Sequence, residues 1–259
     1  MTAPPCDPDA LARAAALLAG ARRVVALTGA GISAESGVPT FRGAEGLWRT
    51  HDPMQLATPK GFQRRPRDVW AWYRWRQALV RRCAPNAGHA ALVRLEDRLG
   101  DGFTLVTQNV DGLHARAGSR RVYELHGNLF RDRCTQCQRG VDVSGAPDVP
   151  VDPDDPTRDP PLPACGACGG LLRPGVVWFR EALPMRVLEA AEEAVAHGEL
   201  LLVIGTSGVV YPAAGLAGLA RRAGGRVVVI NPEPTPHGAV ADVVLQGGAG
   251  AVLGALVGE

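Results

Sequence analysis

Four apolar stretches of the sequence each run directly into a polar or glycine-rich cluster. Polar side chains lose hydration when a strand carries them toward a protein interior, so the pattern requires a partner that compensates for this loss. In an open parallel sheet, ligands bind outside the carboxyl ends of the strands, where all four clusters would meet. The clusters occupy residues 28–33, 107–111, 205–207 and 231–233.

Between these clusters, apolar strands alternate with amphipathic helices along most of the chain. Several strands are apolar throughout, as expected when both faces of a parallel sheet are covered. The alternation predicts an α/β fold with a doubly wound parallel sheet. The predicted strands cover residues 22–27, 103–107, 122–125, 200–204, 226–230 and 242–245, and the predicted helices cover 9–20, 66–82, 88–99, 184–197, 212–223 and a segment from about 249.

Two regions interrupt this alternation. Residues 38–62 are rich in Pro, Gly and Thr and are expected to form a loop. Residues 134–168 have the character of turns, and the Pro- and Asp-rich stretch at 146–163 cannot build a sheet interior. We therefore expect one large α/β domain with a small inserted module, which a chain of 259 residues can accommodate.

Composition excludes two classes of protein. The formal net charge is only +2 at pH 7 and the basic residues are spread along the chain, so we expect no dedicated nucleic-acid binding. No apolar run approaches the roughly 18 residues of a membrane span, and the first ten residues do not resemble a signal peptide. We expect a globular monomer of the cytoplasm with no membrane partner.

Two Cys-x-x-Cys pairs form a strong metal-binding pattern. Cys134 and Cys137 make the first pair, and Cys165 and Cys168 make the second. Four thiolates complete a tetrahedral site and leave no open coordination position, so we expect one structural Zn²⁺ ion. The ion would hold together a segment that has too few apolar residues to fold alone. Two disulfides, or a redox-active pair, are the alternative.

A glycine-rich turn follows the first predicted strand. Gly29, Ala30, Gly31 and Ser33 belong to a G-x-G-x-x-A sequence between a strand and a helix. Small residues there let phosphate groups approach backbone N–H groups and the helix N-terminus, as in dinucleotide sites. A standard dehydrogenase would continue into a second strand ending in Asp or Glu about 20 residues later, and residues 42–53 form no such strand. A turn that only packs tightly is the alternative.

Several motifs, taken together, are far more specific than any one of them. From the N-terminus to the C-terminus, the chain contains GAGIS, GVPTFRG, TQNVDGLH, ELHG, the two cysteine pairs, GVVWF, GTSGVVYPA, INPE and a GAG at 248–250. In this order they resemble the sirtuins, the NAD-dependent protein lysine deacylases. The resemblance extends from about residue 20 to residue 257.

The resemblance implies a division of the chain and a reaction. Residues 1–37, 84–127 and 174–259 would form a Rossmann-type NAD-binding large domain, and residues 128–173 a zinc-binding module of the small domain. Residues 38–83 would supply a cofactor loop and the helical part of the small domain. Acylated-lysine proteins or peptides would enter between the domains. NAD would be consumed as a co-substrate, giving nicotinamide, O-acyl-ADP-ribose and free lysine.

The same resemblance assigns roles to individual residues. His126 matches the general base that acts on a ribose hydroxyl. Asp111 would accept a hydrogen bond from the nicotinamide carboxamide, Gln108 and Asn109 would position the ribose and a water, and Phe41 would cover the ribose. His114 receives no role. The other residues implied in NAD binding are Gly29, Ala30, Gly31, Ser33, Thr40, Arg42, Val110, Gly205, Thr206, Ser207, Asn231, Pro232, Glu233 and Ala249.

Tyr73 and Arg76 indicate which acyl groups are removed. They are three residues apart in the predicted helix 66–82 and so share one face. They match the Tyr-x-x-Arg pair of sirtuins that prefer succinyl-, malonyl- or glutaryl-lysine. A buried guanidinium is costly unless a carboxylate meets it, so we expect acidic acyl groups to be preferred and acetyl-lysine to be accepted. A solvated Arg76 on an amphipathic helix is the alternative.

Arg180 departs from the family pattern. Sirtuins usually have VVWFGE where this chain has VVWFRE. Val176 and Val177 belong to this stretch, whose backbone is expected to hold an extended substrate peptide by strand pairing. A cation in place of glycine would favour acidic residues beside the acyl-lysine.

Two other functions are compatible with these motifs. The same NAD site would serve a mono-ADP-ribosyltransferase, which leaves label from NAD on protein. A non-enzymatic NAD- or zinc-dependent binding module would release no nicotinamide and would not depend on His126.

Overall fold

The structure is a computed structural model and describes residues 6–41, 47, 52–146 and 161–258. Strands and helices alternate through most of these residues, as the sequence predicts. The strands are β1 (Val24–Thr28), β2 (Phe103–Thr107), β3 (Val122–Glu124), β4 (Gly127–Cys134), β5 (Gly140–Asp142), β6 (Leu172–Val176), β7 (Leu200–Ile204), β8 (Arg226–Asn231) and β9 (Val243–Gln246).

Side-chain caps determine where several helices begin. The carboxylate of Asp7 accepts a hydrogen bond from Asp9 N, and the amide oxygen of Asn86 accepts one from Gly88 N. Such caps satisfy N–H groups that have no partner within the helix. Within the described ranges, no helix has both the length and the hydrophobicity needed to cross a bilayer. The helices are α1 (Pro8–Gly20), α2 (Gly31–Ala34), α3 (Pro53–Leu56), α4 (Pro59–Arg64), α5 (Pro66–Arg82), α6 (Ala87–Leu99), α7 (Leu113–Ala117), α8 (Met185–His197), α9 (Leu216–Arg222) and α10 (Ala249–Val257).

The centre of the fold is a six-stranded parallel sheet. Its strands lie in the order β3-β2-β1-β7-β8-β9, and every neighbouring pair is parallel. Numbered within this sheet alone, the order is 3-2-1-4-5-6, the arrangement of Rossmann-type dinucleotide-binding folds. The chain winds outward in opposite directions from β1 and from β7, so the two central strands mark the switch point of the sheet.

Both faces of this sheet are covered, which explains why its central strands β1 and β7 are buried along their whole length. Val24 and Ala26 of β1 face a core completed by α1, α6 and α10. Val25 and Leu27 face the opposite core, which α8 and α9 complete. The predicted doubly wound α/β fold is therefore confirmed.

A three-stranded antiparallel sheet, in the order β5-β4-β6, forms a second body beside the first. Its core includes Trp70 and Tyr73 of α5 and Leu129 and Phe130 of β4. The expectation of turns throughout 134–168 is wrong at β5, and β4 is also absent from the sequence pattern. Both strands are short or bulged, and β4 pairs with β6 far along the chain, so local periodicity carries little signal. The domain limits given above stay a prediction.

The expectation of a loop across 38–62 is also wrong in part, because α3 and α4 lie within it. Asp52 and Thr58 cap these helices by accepting from Met54 N and Gly61 N, and a proline occupies the first position of each helix. Proline is well suited to that position because its missing N–H would have no partner there. The prolines therefore mark helix starts in this segment.

Candidate functional site

A cleft of about 730 Å³ opens where the parallel strands end. Four loops line it, and each follows directly after one of the strands β1, β2, β7 and β8. Ligands of doubly wound sheets bind at the switch point, which here lies between β1 and β7. The contributing loop residues are 29–31, 108–110, 205–207 and 231–235.

The loops that follow β1 and β7 touch through their backbones. Gly31 N donates to the carbonyl oxygen of Gly205 at 2.8 Å. A Cβ atom on Gly31 would lie 2.7 Å from the Gly205 Cα, closer than real Cβ atoms approach. Gly205 has a φ of 59°, in the left-handed region that glycine adopts freely. Packing therefore requires both glycines, and the same bare backbone forms part of the cleft wall.

Asn109 connects the cleft wall to two polar side chains behind it. Its Nδ2 donates to Gly29 O at 3.1 Å and to Ser33 Oγ at 3.2 Å. Ser33 Oγ donates to Asp111 Oδ2 at 2.8 Å, and Leu113 N donates to Asp111 Oδ1 at 2.9 Å. Ser33 and Asp111 are buried and do not line the cleft. The carboxylate therefore fixes the orientation of Ser33 and, through it, of Asn109.

His126 lies between the two sheets and lines the cleft. Its Nδ1 is 3.0 Å from the carbonyl oxygen of Gln108. Because a carbonyl oxygen can only accept, we assign the proton to Nδ1, which leaves Nε2 as the basic nitrogen of the neutral ring. Burial lowers the pKa of His126, and the bond to Gln108 acts in the opposite direction. His126 is therefore neutral, and able to accept a proton, at neutral pH.

Arg76 lies in an aromatic pocket, formed by Phe41, Trp72 and Tyr73, that opens onto the cleft. Its guanidinium carbon is 4.8 Å from the Phe41 ring centroid, 4.9 Å from that of Trp72 and 5.6 Å from that of Tyr73. Arg76 is only 7% exposed. No carboxylate of the described residues forms an ion pair with it. The pocket thus holds a buried cation that no carboxylate contacts directly, and Asp111 acts on it only at longer range.

Trp178 fixes the tyrosine of this pocket, a role that the motifs do not reveal. Its Nε1 donates to Tyr73 Oη at 2.9 Å. An indole N–H can only donate, so the Tyr73 hydroxyl accepts here and keeps its own proton for another partner. Burial raises the pKa of Tyr73 to about 12, so that proton stays in place at neutral pH. The Arg173 guanidinium stacks on the Trp178 ring and pairs with Glu181 at 2.5 and 3.0 Å.

The four predicted cysteine ligands come together at one end of the small sheet. Their Sγ atoms all lie within 4.8 Å of one another, with Cys134 and Cys168 at 3.5 Å and Cys137 and Cys165 at 3.8 Å. Sulfurs bound tetrahedrally to zinc at about 2.3 Å lie about 3.8 Å apart, so the cluster fits this ion. The cysteines of the described residues are free thiols, which argues against the disulfide alternative.

His114 lies in the interior, away from the cleft. Its Nε2 is 2.9 Å from Thr28 Oγ1, and its ring packs 4.9 Å from the ring of His89. Burial lowers the pKa of His114 to about 3, and His89 adds to this effect. A neutral, buried imidazole in this position serves packing.

Most residues predicted for the site line the cleft. Ser33 and Asp111 lie behind it, and Arg42 lies outside the described residues. The predicted residues that line it are Gly29, Ala30, Gly31, Thr40, Phe41, Tyr73, Arg76, Gln108, Asn109, Val110, His126, Val176, Val177, Gly205, Thr206, Ser207, Asn231, Pro232, Glu233 and Ala249.

Further cleft residues carry no assignment from the sequence. Glu35 is one of them, and its carboxylate accepts from Gly250 N at 2.9 Å near the start of α10, beside Ala249. Many of these residues adjoin a motif in the sequence, which is the signal that could have identified them. They include Ala34, Glu35, Ala57, Trp72, Trp178, Phe179, Glu181, Leu183, Val210, Tyr211, Pro234, Thr235 and Gly248.

Solved structures share this architecture. A Sir2 homologue mutant in complex with ADP-ribose has a TM-score of 0.87 and 46% identity, covering 97% of this chain and 95% of its own. A Sir2 homologue in complex with NAD has a TM-score of 0.86 and 45% identity, with 99% and 95% coverage. A Sir2 protein in complex with a p53 peptide and NAD⁺ has a TM-score of 0.76 and 31% identity, with 92% and 93% coverage.

Sequence comparison agrees with these structural matches. The NAD-dependent protein deacylase 2 of Pyrobaculum aerophilum is 52% identical over 243 residues, which are 94% of this chain and 93% of the relative. The NAD-dependent protein deacylase 1 of Archaeoglobus fulgidus is 49% identical over 240 residues, with 93% and 94% coverage. The Sir2 family model matches residues 29–212, more than half of the chain. The resemblance to sirtuins is confirmed, and the chain belongs to the Sir2 family.

Proposed function

We propose that this protein is an NAD-dependent protein lysine deacylase that releases nicotinamide, O-acyl-ADP-ribose and free lysine. Curated relatives that match nearly the whole chain are named for this activity. The observation that carries the proposal is the position of His126, which lines the same cleft as four strand ends and keeps Nε2 available as a base. The cleft thus combines a dinucleotide-type switch point with a neutral imidazole.

The chain's own residues supply proton transfer and positioning. NAD would supply the ribose carbon to which the acyl oxygen becomes attached when nicotinamide leaves. His126 Nε2 accepts a proton from a ribose hydroxyl, while the Gln108 carbonyl fixes the ring. Gln108 Nε2 donates to Thr206 Oγ1 at 2.9 Å, which ties the ends of β2 and β7 together. Asn109 orients the ribose and an ordered water, and Phe41 covers the ribose from bulk solvent.

The remaining NAD contacts follow the loops around the switch point. The turn at Gly29–Gly31 and the loop at 205–207 offer bare backbone to phosphate groups, and the residues at 231–233, with Ala249, would meet the adenosine. Thr40, Val110 and Arg42 are assigned to NAD from the motifs alone. Asp111 lies behind the cleft wall and accepts from Ser33 and Leu113, so its assignment to the nicotinamide carboxamide also rests on the motifs.

Acidic acyl groups are the preferred substrates in this proposal. Arg76 brings a buried positive charge to the pocket, and Tyr73 brings a hydroxyl proton that Trp178 does not use. A succinyl or malonyl carboxylate would pair with the guanidinium and accept from the hydroxyl, which offsets the cost of burying both. A short neutral acetyl group also fits, because the cation–π contacts leave Arg76 stable without a carboxylate.

The cysteine cluster would hold one Zn²⁺ ion with a structural role. Cys134 is the last residue of β4 and Cys137 follows it, whereas Cys165 and Cys168 precede β6, so the ion would join the two long strands of the small sheet. A closed four-thiolate site supplies folding free energy and no catalytic position. The cysteines of the described residues form no disulfide, which supports a location in the cytoplasm, where thiols stay reduced. We further propose a monomer, since one chain supplies the whole cleft wall.

Nicotinamide release from matched peptides tests the proposal. One peptide sequence is prepared with acetyl-, succinyl- and malonyl-lysine, and each version is incubated with NAD and the protein. We expect NAD-dependent nicotinamide release with each peptide and a loss of deacylation in His126→Ala.

The products separate this function from its alternatives. Label from NAD that accumulates on protein instead of in free O-acyl-ADP-ribose would establish ADP-ribosyl transfer. Binding of peptide without any nicotinamide release would identify a non-enzymatic module.

A further inference from the structure

Arg180 has a backbone conformation that side chains rarely adopt. Its φ is 70°, in the left-handed region where a Cβ atom crowds the backbone and glycine is usual. Among the described non-glycine residues, only Gln138 shares a positive φ. Residues with strained backbones cluster at ligand sites, and Arg180 borders one. Arg180 is exposed and lines the mouth of the cleft.

The backbone around Arg180 is hydrogen-bonded except at Arg180 itself. Val177 N donates to His126 O at 2.8 Å, Phe179 N to Ala57 O at 2.9 Å, and Glu181 N to Trp178 O at 3.0 Å. Trp178 N donates to a Glu181 carboxylate oxygen at 2.8 Å. Val177 N and Trp178 N are therefore already bonded within the protein. Strand pairing of this stretch with a substrate peptide stays a prediction. Arg180 N has no acceptor in the described part of the chain, so it is the donor here that a substrate carbonyl can use.

The Arg180 side chain also has no partner among the residues that the structure describes. The adjacent carboxylate of Glu181 is occupied by Arg173, which holds it with two hydrogen bonds. Arg76 provides the cation for the acyl group inside the aromatic pocket, so it does not compete for the same substrate atoms. The cleft mouth therefore presents one unpaired, exposed guanidinium beside an unpaired backbone donor.

We propose that Arg180 selects protein substrates that carry an Asp or Glu beside the acylated lysine. This inference rests on the proposed function, and it concerns the peptide around the lysine, whereas the aromatic pocket concerns the acyl group. Arg180 N donates to a peptide carbonyl, and the guanidinium pairs with the acidic side chain. An extended peptide advances about 3.3 Å per residue, so an acidic residue within two positions of the lysine is within reach of the arginine side chain.

Paired peptides test this proposal. Two acetyl-lysine peptides are identical except that the residues flanking the lysine are Glu in one and Gln in the other. The ratio of kcat/KM for the Glu peptide to that for the Gln peptide is measured for the wild type, Arg180→Gln and Arg180→Gly. Arg186→Gln is the matched control, because it removes an exposed cation of α8 that does not line the cleft.

We expect the wild type and Arg186→Gln to prefer the Glu peptide about two- to fivefold, the range of an exposed ion pair. The ratio falls to near one in both Arg180 variants, and high salt lowers it in the wild type. Dissociation constants of the two peptides, measured by calorimetry, should show the same ratios. An unchanged ratio in Arg180→Gln overturns the proposal. Absence of nicotinamide release by the wild type overturns the deacylase function instead, and the peptide affinities still decide the role of Arg180.

Discussion

Replacing Arg76 with methionine should separate the two acyl specificities. Methionine keeps an unbranched side chain in the aromatic pocket and removes the charge. The bound succinyl carboxylate would then be buried without its cation, because no other cation of the described residues lies in the pocket wall. Acetyl-lysine carries no charge in its acyl group, so it does not depend on the guanidinium.

The size of the expected loss of desuccinylation follows from the burial of Arg76, which is 7% exposed. Removing one partner of a buried charge pair costs about 2 to 4 kcal/mol, which corresponds to about a 30- to 900-fold loss of kcat/KM. The substitution also removes the cation–π attraction between the guanidinium and the rings of Phe41 and Trp72. Removal of a buried charge that no carboxylate contacts directly offsets this effect on stability. Arg76→Met should therefore unfold at no lower urea concentration than the wild type.

The assay compares kcat/KM for the succinyl and acetyl versions of one peptide. Arg82→Met serves as the control, because Arg82 is an exposed cation at the end of the same helix, α5. We expect the control to behave as the wild type with both substrates. Equal losses on succinyl and acetyl peptides in Arg76→Met would refute the reasoning, since the arginine would then act on something common to both.

Two substitutions, a pH profile and metal removal probe other parts of the geometry. Trp178→Phe removes the donor that orients Tyr73. The kcat/KM for the succinyl peptide should therefore fall about fivefold, or ~1 kcal/mol, relative to that for the acetyl peptide. An equal effect on both substrates would contradict this. For deacetylation, the acid limb of the pH profile of kcat/KM should have its midpoint below 6.5, since burial lowers the pKa of His126 from that value and the neutral ring is the active form. A midpoint above 6.5 would count against His126 as the base. Arg180→Gly should raise the free energy of unfolding by about 0.5 to 1 kcal/mol, because the relief of left-handed backbone strain exceeds the entropy cost of glycine. Urea titration measures this free energy. An unchanged or lower value would mean that the strain is absent. Metal analysis should find one zinc ion per chain. Its removal by a chelator should abolish the near-ultraviolet circular dichroism of the tryptophans that pack in the core of the small sheet. Unchanged dichroism would mean that the ion does not hold this part of the fold.

The large sheet is predictable because its signals are local. Its central strands are mostly apolar runs of 5 or 6 residues between helices with clear periodicity, so β2 and β7 fall where the sequence places them. Polar clusters at the strand ends locate the cleft for the same reason. The small sheet lacks such signals, because its pairing depends on residues that only the cysteine cluster brings together.

Within the site, contacts between distant positions are what the sequence does not reveal. Trp178 and Tyr73 are 105 positions apart, and no local pattern predicts their hydrogen bond. The hydrogen bond that Asp111 accepts behind the cleft surface likewise comes from Ser33, which lies 78 positions away in α2. Side-chain identity therefore indicates the chemistry of the cleft, whereas tertiary packing determines which atoms are available to a ligand.

His126 joins two bodies of the fold through two different bonds. Its ring is held by Gln108 at the end of β2, and its backbone carbonyl accepts from Val177 directly after β6. A displacement of the small sheet from the large one would strain or break one of these bonds. The orientation of the imidazole in the cleft is therefore coupled to the relative position of the two sheets.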